Sequence, residues 1–243
     1  MGARFSGVMP WRVAAVLAAA LAAQLLWAGS RVGPRVSIAA LAPPPPAAVL
    51  RVAALGEPAL MARLMMLWLQ AYDYQPGVSL SFRALDYGAI ETWLTRMLEL
   101  DPTFQYPLLA AARLYGEVDE PVRQRRMLAF IARAFAADPA RRWPWMAHAV
   151  FIAKHRLHDL PLALDLARAL ARADDGGAMP HWAKQMHIFV LEDMGELEGA
   201  KVLLGGLLAS GEIRDSHERW FLSERLGELE RRAAEHKGAV TPP

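Results

Sequence analysis

The chain repeats a helix-ending dipeptide at an interval of 37 residues. Asp101-Pro102 closes the stretch DYGAIETWLTRMLELDP, and Asp138-Pro139 closes the stretch IARAFAADP. Proline disfavours helical geometry in the residue before it, so each Asp-Pro predicts the end of a helix. Further residues recur at the same spacing: Leu108, Trp145 and Trp182; Leu114, Phe151 and Ile188; Ala163 and Ala200. Such a period predicts stacked copies of one unit, because a single unit cannot bury its own apolar face.

The repeating unit is predicted to be a pair of helices. From Leu55 onward, apolar residues recur at helical spacing, and no sustained run alternates with the period of two that marks a strand. The predicted pairs are 57–72 with 86–100, 105–116 with 121–137, 143–156 with 159–173, and 180–193 with 196–209. A last helix, about 216–236, carries one apolar stripe, which suits a cap on the final pair. The stripe consists of Leu222, Leu226, Leu229 and Ala233. The sequence therefore predicts an all-α fold.

Two stretches of the chain resemble a known repeat. DYGAIETWLTRMLELDP looks like the second helix of a tetratricopeptide repeat, and MGELEGAKVLL (194–204) is similar to the turn-and-helix phrase of that family. The resemblance implies a short right-handed α-solenoid of about four hairpins over 55–210, a capping helix over 211–237 and a disordered tail over 238–243. The chain departs from the family in its period of 37 residues, where about 34 is usual, and in having His158 at the place of the turn glycine.

The same resemblance implies where a partner would bind. In tetratricopeptide repeat proteins the first helices of the pairs line a concave groove that holds a segment of another protein. Carried over by the register, the implied groove residues are Trp145, His148, Ile152, His155, Trp182, Gln185, Phe189 and Glu192. The alternative is that Trp145 and Trp182 pack in the core between hairpins. The mixture of aromatic and polar side chains favours the groove, because it is unusual for a pure core.

The amino-terminal segment predicts a membrane anchor. Residues 1–12 form a basic start, and 13–30 carry no charge; as a helix, the second stretch would extend about 27 Å, just enough to cross a bilayer core. The predicted anchor residues are Val13, Leu17, Leu21, Leu25, Leu26 and Trp27. A cleaved signal peptide is the alternative, because the stretch is rich in alanine. An uncleaved anchor favours a single pass through a bacterial inner membrane, with the C-terminal domain in the periplasm.

Residues 31–54 are predicted to be a proline-rich linker. Four consecutive prolines, 43–46, cannot lie inside a helix and favour an extended polyproline stem between membrane and domain. A proline-motif ligand for a partner is the alternative. The next segment, 58–72, is apolar on nearly every side, with Arg63 as its one charge. It is expected to be buried in the first pair, or to lie on a membrane or a membrane-embedded partner.

Charge and composition argue against several classes of function. Residues 1–51 hold five of the 27 basic residues and none of the 25 acidic ones, so the remainder is slightly acidic and a nucleic-acid-binding domain is disfavoured. The chain has no cysteine, no glycine-rich phosphate loop and no G-x-S-x-G nucleophile motif. His155, His158 and Asp159 lie close together, but at a predicted helix turn, where no metal site is expected.

The expected function is that of a membrane-anchored scaffold for protein–protein interaction, an assembly or accessory factor for a bacterial envelope or secretion complex. No enzymatic activity, cofactor, metal, nucleic acid or small-molecule substrate is expected. The expected partner is a protein, either a peptide segment or a subunit of a membrane complex. The alternative is a stable structural subunit of a membrane complex, bound through the apolar helix 58–72.

Overall fold

The computed structural model describes residues 11–30, 41–72, 74–75, 78–79, 81–211, 213 and 215–240. The chain divides into two compact units, one with residues 1–39 and 75–79 and the other with residues 40–74 and 80–243. Three predicted segments lie partly outside the described residues. They are the basic start up to residue 10, the linker over 31–40 and the tail over 241–243.

The first unit contains one long helix, α1 (Trp11–Ser30), where a helix over 13–30 is predicted. Alanine and leucine favour the helix, and no proline interrupts it. Every large apolar side chain described on α1 is exposed to solvent. These side chains are Trp11, Val13, Val16, Leu17, Leu21, Leu25, Leu26 and Trp27. All six predicted anchor residues are therefore exposed.

The remaining elements are helical, apart from two paired strands of two residues each, β1 (Tyr74–Gln75) and β2 (Val78–Ser79). The helices are α2 (Ala47–Ala53), α3 (Pro58–Tyr72), α4 (Tyr87–Leu100), α5 (Tyr106–Ala110), α6 (Pro121–Ala137), α7 (Pro139–His155), α8 (Leu160–Arg172), α9 (His181–Asp193), α10 (Leu197–Ser210) and α11 (Ser216–Val240). A 3₁₀ turn spans Phe82–Ala84, and α5 continues as a π-helical turn, Ala111–Tyr115. The all-α prediction is confirmed for the described part of the chain.

The helices of the second unit pack mainly against neighbours in the chain. Each helix from α6 to α11 contacts the next, α3 packs against α4, and further contacts join α4 with α6 and α7 with α9. Many polar contacts join residues 33 to 42 positions apart, which is about one repeat. Trp145 Nε1, for example, donates to Gln105 Oε1 at 2.8 Å, and Arg125 Nη2 lies 2.9 Å from Asp159 Oδ2. Contacts at this spacing are expected where helical pairs lie side by side in chain order.

The predicted register of 37 residues is kept only in part in the burial of α5 and α7. Ala110, Ala112 and Tyr115 are buried, and so are Ala147, Ala149 and Ile152, which lie 37 positions later. Four residues of the second pair are buried, and the residues 38 positions later are buried as well. These matches are Leu108 with Met146, Ala111 with Ala149, Ala112 with Val150 and Tyr115 with Ala153. Leu108 therefore corresponds in burial to Met146, whereas Trp145 is only partly buried. A π-helical turn changes the rotation per residue, so the faces of α5 and α7 do not keep a constant phase.

The two Asp-Pro seams both separate helices, but in different ways. Asp138 caps the start of α7 by accepting from Arg141 N at 3.4 Å, so α7 begins at Pro139 rather than at the predicted residue 143. Asp101 instead follows α4 and accepts from the backbone N–H of Thr103 at 3.0 Å. The first seam is therefore a loop of several residues, and the second is a single capping residue.

Buried Arg142 ties the two seams together. Its Nη1 donates to the Ala134 carbonyl at 2.6 Å, near the end of α6, and its Nη2 donates to the Pro102 carbonyl at 2.9 Å. Burial lowers the pKa of Arg142, Asp138 opposes that shift, and Arg141 adds to it. A guanidinium held by two carbonyls stays charged, because the ordinary pKa of arginine is far above neutrality.

The linker prediction is wrong for residues 41–54. Trp93 Nε1 donates to the Ala42 carbonyl at 2.8 Å, and the side chains of Leu41 and Leu50 are buried. After the prolines, Ala47–Ala53 forms α2, because the fixed backbone of Pro46 can precede a helix although it cannot continue one. The segment after residue 40 therefore belongs to the helical unit. The predicted tail is likewise shorter, since α11 runs to Val240.

Two turns at the predicted repeat spacing share a left-handed backbone. His158, between α7 and α8, has φ 52°, and Gly195, between α9 and α10, has φ 79°. Only glycine adopts this conformation without steric cost, because it has no Cβ. His158 thus holds the same turn position between its helices as Gly195 does one repeat later.

The described residues contain apolar helices, but none that meets the needs of a membrane span by itself. No single helix there is both long enough and apolar enough to cross a bilayer, and the apolar part of α1 is Val13–Trp27. The helices α2 and α3 are long and apolar enough to cross a bilayer only when their lengths are added, and they are bent by 109° with respect to each other.

Candidate protein-binding surface

The eight predicted groove residues divide into three groups by exposure. His155 and Trp182 are exposed. Trp145, His148 and Phe189 are partly buried. Ile152, Gln185 and Glu192 are buried, so they cannot line an accessible groove as predicted. What remains accessible lies on α7 and at the start of α9.

The exposed face of α7 carries three stacked rings. The His148 and Phe151 ring centroids lie 5.8 Å apart at an interplanar angle of 19°, and those of Phe151 and His155 lie 4.7 Å apart at 43°. We call His148, Phe151 and His155 the α7 stripe. Phe151 is 47% exposed, although the repeat register aligns it with Ile188, which is buried. Phe151 was missed as a site residue; its position three residues after His148 and four before His155 was the available signal.

His148 is held neutral at the inner end of the α7 stripe. Among the described residues, no group hydrogen-bonds its buried Nε2, which lies 3.9 Å from Glu117 Oε1. Burial lowers the pKa of His148, and the nearby Arg113 lowers it further, while Glu117 and the backbone of Ala112 act in the opposite direction. The net shift is downward, so the His148 ring adds flat, uncharged surface to the α7 stripe near neutral pH.

Trp145 and Trp182 occupy related places but offer different surfaces. Trp145 is hydrogen-bonded to Gln105, beside the start of α5, and Trp182 packs edge-on against Trp143, in the first turns of α7, with centroids 5.6 Å apart. Each tryptophan thus reaches the start of the preceding first helix. The indole N–H of Trp145 is already bound, whereas Trp182 is 52% exposed. Trp182 is therefore the more accessible aromatic anchor.

Gln185 and Glu192 face α11 rather than an open groove. Gln185 Nε2 donates to Glu218 Oε1 at 3.0 Å. Arg225 Nε donates to Glu192 Oε2 at 3.0 Å, and Arg232 also pairs with the Glu192 carboxylate. The polar side chains that are unusual for a core are explained by this contact, since a buried carboxylate is tolerated when it is paired and hydrogen-bonded.

Ile152 belongs to the core between the second and third pairs. It is 1% exposed, and a Cβ built on Gly116 would lie 3.3 Å from its Cδ1. Ile152 was predicted to line the groove, and its burial contradicts that prediction. A partner cannot reach this side chain without opening the hairpins.

The residues of the HRLHD motif each have a structural role. His155 stacks on Phe151, and His158 forms the left-handed turn. Asp159 caps α8 by accepting from Leu162 N at 3.1 Å, and its hydrogen bond from Arg125 is the main cause of its lowered pKa. Among the described residues, no three metal-ligating side chains are grouped as a metal ion would require.

Comparison of this chain with protein-family models, with curated proteins and with solved structures finds no match.

Proposed function

We propose that the second unit is a protein-binding scaffold of tetratricopeptide-like helical pairs, and that its partner docks on the α7 stripe and Trp182. The observation that carries this proposal is the exposure of a row of contacting rings on α7, beside the exposed Trp182. Contacts in chain order and the left-handed turns at His158 and Gly195 support the solenoid arrangement. Exposed aromatic side chains make effective anchors, because they bury a large area at low entropic cost.

The proposal includes attachment to a bilayer through α1. Its large exposed side chains are apolar and lie on every side of the helix, with Gln24 as the one polar side chain among the exposed residues described, a pattern that suits lipid as the surrounding solvent. The placement of the second unit in the periplasm, on a single-pass inner-membrane protein, stays a prediction. It is tested by a reporter fused after Pro243: activity on the cytoplasmic side alone would contradict it. In this scheme the chain is an assembly or accessory factor of an envelope or secretion complex.

The binding surface is tested by site-specific photo-cross-linking in cells. A photoreactive amino acid is placed at Phe151 or at Trp182, and at Val122 on α6 as an equally accessible control. The two surface positions are expected to give an adduct with the same protein, and the control is not. The double variant Phe151→Ala, Trp182→Ala is expected to lose capture of that protein while its helical circular dichroism is unchanged, because both side chains are exposed. Persistent capture by this variant would rule out the surface.

The alternative function, a stable subunit of a membrane complex, has one observation in its favour. The helix α3 exposes an apolar stripe of Leu60, Leu64, Leu67 and Trp68, which a neighbouring subunit would bury. Retention of the partner by the Phe151 and Trp182 double variant, together with its loss in Leu64→Gln, Leu67→Gln, would favour this function over binding at the α7 stripe and Trp182.

A further inference from the structure

A sharply bent apolar elbow precedes the helical pairs. The helices α2 and α3 meet at 109° around Leu55 and Gly56, both of which have positive φ. Leu55 has φ 50° and is 92% exposed. A non-glycine residue in this conformation is strained. Because the Leu55 side chain is exposed, packing within the protein does not offset that strain. We call residues 47–72 the apolar elbow.

The helix α3 is apolar on two opposite faces. One face, made of Ala62, Met65, Met66 and Leu69, is buried. The other face, made of Leu60, Leu64, Leu67 and Trp68, is exposed, and its spacing of four, three and one residues places it on one side of the helix. The shorter helix α2 adds exposed Val49 and Val52. Trp68 also stacks on the buried Trp93, with ring centroids 4.5 Å apart, and so lies at the edge of this face. The apolar elbow thus has an outer apolar surface that the described part of the protein leaves exposed.

The charged side chains of the apolar elbow are few, and its arginines bind the body. Arg51, Glu57 and Arg63 are the only charged residues over 47–72. Arg51 Nη2 donates to the Glu99 carbonyl at 3.1 Å, and Arg63 Nη1 lies 3.3 Å from Asp101 Oδ2. A docking site for a soluble protein usually has a charged or polar rim. The outer surface of the apolar elbow has very few residues that could form such a rim.

We infer that the outer surface of the apolar elbow inserts into the interfacial layer of a lipid bilayer, with Leu55 at its tip. The inference rests on the membrane attachment proposed for α1. Only residues 31–46 separate α1 from α2 in the chain, so a bilayer that holds α1 is at high effective concentration for the elbow. A protruding bend fits a fluid layer without a matching pocket, and tryptophan favours the membrane interface, as Trp68 would here.

The absence of cysteine makes a labelling test direct. The full chain is reconstituted in vesicles of phosphatidylethanolamine and phosphatidylglycerol, with one environment-sensitive fluorophore on a single introduced cysteine. The substitutions are Val52→Cys, Leu55→Cys and Leu64→Cys in the elbow, Leu21→Cys in α1, and Val122→Cys on α6. Val52 and Val122 form a matched pair, because they are valines with exposed fractions of 78% and 74%. Lipids with a quencher on the acyl chain report contact with the bilayer.

Strong quenching at the three elbow positions, with none at Val122, is the expected result. Adding Leu64→Gln and Leu67→Gln to the Leu55→Cys chain is expected to shift its docked-to-free ratio at least about tenfold toward the free state. Vesicles of phosphatidylcholine alone are expected to retain quenching, because the elbow carries little charge.

The position in α1 separates failure of this inference from failure of the membrane attachment. Quenching at Leu21 with water-exposed labels at Leu55 and Leu64 overturns the inference and leaves the attachment standing. Labels at Leu55 and Leu64 that are shielded from both water and lipid show a protein occupant instead and also overturn it. Quenching in the elbow but not at Leu21 supports the inference and overturns the attachment through α1, and quenching at neither site overturns both.

Discussion

The first helices of the third and fourth pairs, α7 and α9, hold equivalent places in the chain but differ in what covers them. On α9, Gln185 and Glu192 are buried against α11. On α7, the residues 37 positions earlier are His148, which is half-buried, and His155, which is exposed. Together with Phe151 they leave an open surface of stacked rings.

The following helix decides the difference. Glu218, Arg225 and Arg232 of α11 reach back to α9 and bind its buried polar groups. The corresponding contacts from α9 to α7 are a salt bridge, Asp193 with Lys154, and a ring contact, Trp182 with Trp143. Equivalent positions in a repeat are therefore not equivalent surfaces, because the side chains of the next helix determine which positions remain accessible.

Removing the Glu192 carboxylate beneath α11 is expected to have the largest effect on the free energy of unfolding. In Glu192→Ala, Arg225 and Arg232 lose a buried partner, and the free energy of unfolding is expected to fall by about 3 kcal/mol. Urea unfolding followed by circular dichroism measures the change. Glu196→Ala is the control, because Glu196 is exposed and makes no side-chain capping bond, so a change within about 0.5 kcal/mol is expected. Equal effects of the two substitutions would show that α11 is not held by Glu192.

Local rules of sequence predicted most helix ends, whereas contacts between pairs could not be predicted. Asp-Pro marked both seams, and His158 and Gly195 were correctly placed at one turn position. The burial of Glu192 depends on Arg225, which lies 33 residues away, and no periodic pattern specifies that pairing. Without knowledge of that pairing, the charge of Glu192 favoured an accessible position in the groove.

The missed helix α2 and the missed site residue Phe151 have different causes. The proline run before α2 matches the composition of an extended spacer, and the packing of Leu50 depends on contacts formed only in the fold. The register of 37 residues aligned Phe151 with Leu114 and Ile188 and did not name it a site residue, but burial in α5 and α7 fits a spacing of 38 residues as well as 37. One residue of phase turns a helical side chain by about 100°, which is enough to exchange core for surface.

A second difference between α7 and α9 is tested by replacing Arg142, near the start of α7, with the residue found just before the start of α9. Arg142 binds both seams, whereas the residue 37 positions later is the buried Met179. Arg142→Met is expected to lower the free energy of unfolding by about 2 kcal/mol, because the carbonyls of Ala134 and Pro102 lose a charged donor. Thermal and urea unfolding measure the change.

The neighbouring Arg141 provides the matched control for that substitution. Arg141 is exposed and pairs with Asp138 one turn away, so Arg141→Met is expected to cost no more than about 1 kcal/mol. If Arg142→Met is no more destabilising than Arg141→Met, the two seams are not joined by Arg142.

Exchanging the turn residues is expected to produce smaller and opposite changes. His158→Gly relieves the left-handed strain after α7 and is expected to raise the free energy of unfolding by about 0.5–1 kcal/mol. Gly195→Ala introduces the same strain after α9 and is expected to lower it by about 1 kcal/mol. A Cβ at residue 195 meets no atom within 4 Å, so the cost there is conformational alone. If both variants change the free energy of unfolding in the same direction, the two turns are not strained in the same way.

The smallest expected effect is a pH dependence of the free energy of unfolding. His148 on α7 and His187 on α9 both contribute to it. Burial is the main cause that lowers the pKa of each; Arg113 adds to it for His148, and Arg168 and Arg172 add to it for His187. The backbone carbonyl of Lys184, 2.8 Å from His187 Nδ1, acts in the opposite direction.

The sign of this dependence follows from proton binding. Between the lowered folded pKa and the unfolded value near 6.5, the unfolded chain binds more protons, so stability is complete above about pH 6.5 and decreases as the pH falls through that window. Urea unfolding at about pH 7.5 and pH 5 is expected to show the loss, and His148→Gln and His187→Gln are each expected to reduce it. A dependence that both single variants retain in full would mean that neither ring is held neutral by its helix, and the α7 stripe would then present a charged imidazole to its partner.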